Sequence, residues 1–284
     1  MTVYLPLSSS PFDDMPWPDL GYVVLVLDGV AFPELGPRIY QWAEGQSLEA
    51  QCLYATTRWE AVSDLSPWLV WLSGPDDPVL KAFLAEGASQ EKGYLLMTRL
   101  LPAELVRWMR LRLQVERAPG YEELLRVAHP ALAQAVIGEC LIQSSPVGAV
   151  EKLITPNMIE NQWMVQEPGG WSSKSGKPRH GEVVYSSELE TVFRAFNARR
   201  DNLLIWHHLD DDAKSSLGGP ALDAAYPRLN DFSVQATNAG CHSPRDKARY
   251  LLRAIRRFQF GEIAAPTGPQ LSPNSTIMDD QWHG

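Results

Sequence analysis

Residues 22–28 read YVVLVLD, an apolar, β-branched run closed by a single acid. Unbroken apolar character without alternation suits a strand covered on both faces rather than one half in water. The run is also the longest strongly apolar stretch of the chain, and it is far too short to span a bilayer. On its C-terminal side the same texture returns in QCLYA (51–55), PWLVWLS (67–73) and GYLLMTRL (93–100). Helical patterns lie between these runs. FPELGPRIYQWAEG (32–45) has Pro37 near its start and Gly45 past its end, RWEAVSDL (58–65) is short, and DPVLKAFLAEG (77–87) closes on Gly87. PAELVRWMRLRLQVE (102–116) places Leu105, Met109 and Leu113 on one helical face. Strands alternating with helices at this spacing predict an α/β N-terminal lobe, its sheet mixed or mostly parallel and flanked by helices. In YEELLRVAHPALAQAVIGEC (121–140), Pro130 disfavours helix at His129, so the stretch reads as a strand or short helix, a turn, and a helix over 131–139.

Outside this block the texture changes. Residues 1–20 are rich in Pro, Ser and Asp and read as an extended leader, without the charged and apolar regions of a signal peptide. QEPGGWSSKSGKPRHG (166–181) offers almost nothing to bury and reads as a flexible linker. It would separate the α/β domain (21–165) from a smaller, mainly helical C-terminal lobe (182–261) and a tail (262–284). In that lobe Ser187 and Glu190 form an S-x-x-E capping pattern ahead of Leu189, Val192, Phe193 and Phe196. Leu222, Ala225, Tyr226, Leu229 and Phe232 carry a second helical rhythm that stops at Gly240. Ser243-Pro244-Arg245-Asp246 then supplies an N-cap, a proline at the first helical position and an acid at the third.

The chain has 284 residues, 25 basic against 34 acidic, for a net charge of −9. That balance argues against nucleic acid as a partner, and no segment argues for membrane insertion. Cys52, Cys140 and Cys241 are far apart, odd in number and in no C-x-x-C pair, as expected of reduced thiols in the cytoplasm.

Candidates for chemistry are few. His207-His208-Leu209-Asp210-Asp211-Asp212 combines imidazole with carboxylate and could in principle hold a divalent metal. Adjacent helical residues point about 100° apart, however, so the two imidazoles do not share an ion, and a polar helix end is the simpler reading. Cys140 with His129 offers a nucleophile and a base without an orienting third group. The Gly169-Gly170 and Gly176-Lys177 pairs lack the strand and helix of a phosphate loop. No catalytic residue, metal or cofactor is therefore expected. Arg245, Arg249, Arg253 and Arg257 recur every fourth residue and form one stripe along a helix. Two readings of the stripe stand: a solvated face, or an interface for acidic groups.

Several blocks, taken in order, carry a resemblance. They are Leu27-Asp28-Gly29, Leu53-Tyr54, Ser66-Pro67-Trp68-Leu69-Val70, GYLLMTR (93–99) and Arg126-Val127-Ala128-His129-Pro130-Ala131. Asn238 to Asp246 adds a looser C-terminal counterpart. This succession resembles the Tap/Tec adaptor-chaperones of bacterial type VI secretion. The resemblance implies a cytoplasmic protein without cofactor that binds a toxic effector and helps load it onto the secretion spike. Its partners would be the effector and the spike protein, with Trp68, Arg126, His129 and the arginine stripe as candidate contacts. His129 and Ala131 stand where that family has Asp and a second Arg, and an Asp–Arg pair would hold the turn by charge. Two other classes remain: a hydrolase using the 207–212 cluster or the strand ends, and an immunity protein that blocks a toxin.

Overall fold

The computed structural model describes residues 2–118, 121–138, 150–167, 183–184 and 186–259. Along the chain, β1 (Thr2–Pro6) and a short α1 (Pro11–Asp14) precede β2 (Tyr22–Leu27), α2 (Leu35–Trp42), β3 (Glu49–Cys52) and β4 (Trp68–Leu72). Next come α3 (Pro78–Glu86), β5 (Gly93–Thr98), α4 (Pro102–Arg110), β6 (Gln114–Ala118), β7 (Tyr121–Leu124) and α5 (Pro130–Ala133). Then follow β8 (Lys152–Asn157), β9 (Gln162–Gln166), β10 (Val183–Val184), α6 (Ser187–His208), α7 (Asp211–Ser216), α8 (Leu222–Asn238) and α9 (Pro244–Gln259). The chain divides into two compact units between Asn197 and Ala198, inside α6.

In the first unit a seven-stranded sheet runs β1-β9-β8-β5-β2-β4-β3. Strand β2 is interior to it, and its side chains serve two cores. Val24 and Val26 face Leu105, Trp108 and Met109 of α4, while Val23, Leu25 and Leu27 face Phe32, Leu35 and Ile39 around α2 and Leu80 and Phe83 of α3. Burial on both faces is why 22–27 shows no alternation. Each fully buried side chain of this kind contributes roughly 1.5–3 kcal/mol relative to exposure.

The expected parallel pairing is not found. Every pairing in the seven-stranded sheet is antiparallel, and among the described residues the one parallel contact joins β10 to β6 in a separate three-stranded sheet. The connections through α2 and α3 nevertheless return the chain in the expected direction, whereas the one through 58–65 does not. Both β2 and β3 run opposite to β4, so β2 and β3 are parallel to each other with β4 inserted between them. Likewise β4 and β5 are parallel to each other with β2 inserted between them. The connections through α2 and α3 are thus split β-α-β units.

Other elements differ from expectation in length or kind. Helix α4 ends at Arg110, because residues 114–118 pair with β7 instead of extending the helix to 116. The stretch 58–65 forms a 3₁₀ turn over Glu60–Leu65. The leader is not merely extended. β1 pairs antiparallel with β9, and Ser10 caps α1 with Asp13 reaching back to its N–H. The β8–β9 hairpin has no counterpart in the sequence reading. Of the linker, residues 168–181 lie outside the described residues, as do Cys140 and the tail.

At the start of α6 the cap is Ser186, not Ser187: its hydroxyl oxygen accepts the Leu189 N–H at 3.2 Å. Leu189, Val192, Phe193 and Phe196 then pack on the core of the first unit. The second unit is helical around Ile205, Trp206, Leu217, Leu229, Leu251 and Ile255. Lys247 is buried against Asp201 at 3.1 Å, and Ser243 caps α9 by accepting the Asp246 N–H at 3.1 Å.

Candidate functional site

Four blocks that lie far apart in sequence meet where β2 ends. The apolar strand delivers Asp28 into the interior, where only 1% of the residue is exposed. One carboxylate oxygen accepts the Val30 N–H at 3.0 Å, and the other accepts from Arg126 Nε at 2.7 Å. Gly29 passes against the Ser66 carbonyl so closely that a Cβ there would lie 2.2 Å from that oxygen. The Ser66 hydroxyl donates to the Pro67 carbonyl and accepts the Tyr54 N–H at 3.0 Å, while Leu53 N–H donates to the Pro67 carbonyl. Leu27-Asp28-Gly29 with the Arg126 block, and Leu53-Tyr54 with Ser66-Pro67, are thus two hydrogen-bonded pairs of blocks joined into one junction by the close packing of Gly29 on Ser66.

The junction is electrically unusual. Burial pushes the Asp28 carboxyl above the ordinary carboxylate value, outweighing the opposing pull of the Arg126 guanidinium and the nearby N–H groups. Burial followed by the Asp28 charge also raises the phenols of Tyr54 and Tyr94. Arg112 is buried over the Trp108 ring, 3.7 Å from its centroid, and donates to the Trp108 carbonyl at 2.7 Å. Desolvation lowers its pKa to about 10. The Tyr94 hydroxyl is fully buried with no hydrogen-bond partner among the described residues. An unsatisfied buried hydroxyl costs about 1–3 kcal/mol. Tyr94→Phe is therefore expected to raise the unfolding free energy in urea by about 1 kcal/mol; a loss of stability would show that the hydroxyl is satisfied.

The residues singled out from sequence occupy distinct places. Trp68 is half-buried and packs against both cores, with the backbone of Gly36 close to its ring. His129 caps α5: its Nδ1 accepts the Ala131 N–H at 3.3 Å, and its ring stands edge-on to Phe196, 4.9 Å between centroids. The imidazole thus supplies the hydrogen bond that an aspartate would give at this turn, and the charge pair of the turn is Arg126–Asp28 instead. In the second unit Arg249 and Arg253 are exposed while Ala248, Leu251 and Ile255 are buried. Arg245 is half-buried, and the Arg257 side chain lies outside the described residues.

The 207–212 cluster is a helix junction. His207 and His208 end α6, and Asp210 caps α7 by accepting the Ala213 N–H at 2.8 Å. Among the described residues no group of three or more His, Cys, Asp or Glu side chains is placed to hold a metal ion. Cys52 and Cys241 are free thiols. No helix among the described residues is long and apolar enough to cross a membrane. Sequence reasoning missed Asp28, Tyr94 and Arg112 as a cluster. The one available signal was an acid closing an otherwise unbroken apolar strand.

Residues 23–143 match a protein family described as "Domain of unknown function (DUF4123)". No curated protein and no solved structure matches the chain.

Proposed function

We propose that the protein is a type VI secretion adaptor-chaperone, which binds a toxic effector in the producing cell and promotes its loading onto the spike. One observation carries the reading. The family match over 23–143 covers the blocks that resemble the Tap/Tec adaptors, and four of those blocks converge on the junction around Asp28. The role is one of binding rather than catalysis, with protein partners and no cofactor.

The arginine stripe is the surface assigned to partner contact in the second unit. Guanidinium groups pair in a fork with carboxylates. Arg249 and Arg253 are exposed and make no ion pair among the described residues, so they are available for that purpose. Exposed charges contribute about 0–1 kcal/mol to stability, whereas truncating one member of a desolvated interface pair costs on the order of 2–5 kcal/mol of binding. Arg249→Glu together with Arg253→Glu is expected to keep the melting temperature within a few degrees while weakening effector co-purification at least tenfold and stopping export. Normal capture and export by the double variant would remove the stripe from the interface. Deletion of the gene distinguishes the roles, since loss of an adaptor silences secretion whereas loss of an immunity protein poisons the producer.

A further inference from the structure

Among the described residues strand β3 is an edge of the large sheet, hydrogen-bonded to β4 alone. Its register sets Glu49 opposite Trp71, Ala50 opposite Val70 and Gln51 opposite Leu69. One step further, Leu53 N–H donates to the Pro67 carbonyl, which makes that position a hydrogen-bonded pair. Bonded and unbonded pairs alternate in an antiparallel ladder, so Gln51 and Glu49 also bond inward to β4. The N–H and C=O of Ala50 therefore point the other way, out of the sheet edge. Two neighbouring carbonyls are already occupied: Gln51 Nε2 donates to Cys52 O at 2.9 Å, and Arg110 Nε to Leu53 O at 3.0 Å.

Beside this edge lies a groove between β3 and α4. It is lined by Glu49, Ala50 and Gln51 on the strand side and by Ala103, Val106 and Arg107 on the helix side. Trp71 also lines it, and its indole N–H is buried without an acceptor among the described residues. Arg107 is exposed and makes no ion pair among the described residues. The helix wall of the groove thus carries positive charge from Arg107 and Arg110, the latter held in place by bonds to the carbonyls of Leu53 and Ala55.

We infer that this groove takes an extended, acid-bearing segment of a partner protein, which adds a strand to β3 through the backbone of Ala50 and sets a carboxylate against Arg107. Strand addition at an open edge draws affinity from main-chain bonds and specificity from alternate side chains. A helical occupant would leave the outward N–H and C=O of Ala50 unmet. An occupant without acids would leave Arg107 unpaired. For the identity of the natural partner the inference rests on the adaptor role, but the groove itself does not.

The test is selection of random twelve-residue displayed peptides against the full chain, followed by fluorescence anisotropy with the enriched peptides after synthesis and labelling. The expected winners alternate β-branched residues with at least one Asp or Glu and have no central proline. Two variants locate the site. Ala50→Pro removes an N–H that faces away from β4, a change edge strands tolerate. Arg107→Glu reverses an exposed charge and serves should the proline disturb folding. Each is expected to weaken peptide binding at least tenfold, and in the wild-type protein bound peptide should slow amide exchange at Ala50. Enriched peptides that bind both folded variants with unchanged affinity would overturn the inference. Failure to enrich acidic, strand-forming peptides would do so as well. Peptide binding that survives while effector co-purification fails would count against the adaptor role and leave the groove standing.

Discussion

Arg126→Met is expected to cost about 3 kcal/mol of unfolding free energy at pH 8. Removing one member of a buried ion pair typically costs about 3–5 kcal/mol, because the other charge stays buried without compensation. The lower end applies here, since the Arg126 side chain is 31% exposed and water replaces part of what it supplied, whereas that of Asp28 is only 2% exposed. The loss should depend on pH in a definite direction. Burial already raises the folded-state pKa of Asp28 above its ordinary value, and Arg126 is the largest influence lowering it. Without the guanidinium the carboxyl rises further. A carboxyl with a raised folded pKa adds stability that is complete below its unfolded pKa and is lost as pH climbs through the folded one. The deficit of Arg126→Met should therefore be largest at pH 8 and shrink steadily towards pH 5. Adding Asp28→Asn removes the stranded charge and keeps an oxygen for the Val30 N–H, so the double variant should regain more than half of the loss at pH 8. Urea titrations of the wild type, Arg126→Met and the double variant at pH 8, 6.5 and 5 decide the matter. A deficit flat across that range would mean that Arg126 acts by packing its stem, not by charge.

How much of this was legible in the chain follows from the range of each interaction. Ser243 caps its helix through a bond to the N–H three residues on, and the sequence around it announces the cap. The two-sided burial of β2 was legible because six apolar residues in a row leave no wet face. Strand direction was legible only across α2 and α3, where the helix returns the chain parallel; across 58–65, also read as a helix, β3 and β4 run antiparallel. Adjacency was not: nothing local to 22–52 says that β4 will slide between β2 and β3. The same limit hid the junction. Asp28 and Arg126 are 98 residues apart, and each alone looks like an ordinary end of an element. Family resemblance pointed to both blocks without saying that they touch. Helix α4 was overextended because Leu113 keeps the helical period with Leu105 and Met109, while pairing of 114–118 with β7 is a tertiary effect.

Gly29→Ala is expected to destabilise the protein by about 3 kcal/mol or more, at the top of the range for overpacking. The cause is space, not backbone conformation. An added Cβ would meet Ser66 O at 2.2 Å, Leu65 C at 2.9 Å and Ser66 C at 3.0 Å, and all three atoms are main chain. A flexible side chain could swing aside, but this wall is tied. Ser66 N–H donates to Ser63 O, the Ser66 hydroxyl accepts from Tyr54 N–H, and Leu53 N–H holds the Pro67 carbonyl. Moving the wall by the ångström that a methyl needs would break bonds that also set the start of β4. Gly74 provides the control, because nothing lies within 4 Å of a Cβ there and its backbone angle is not in the left-handed region. Gly74→Ala should be neutral or stabilise by about 0.4–1 kcal/mol through the unfolded chain. Chemical denaturation of the two variants side by side tests the contrast. Equal, small effects would mean that the 63–67 turn yields readily, and that the Asp28–Gly29 junction is held by its ion pair alone.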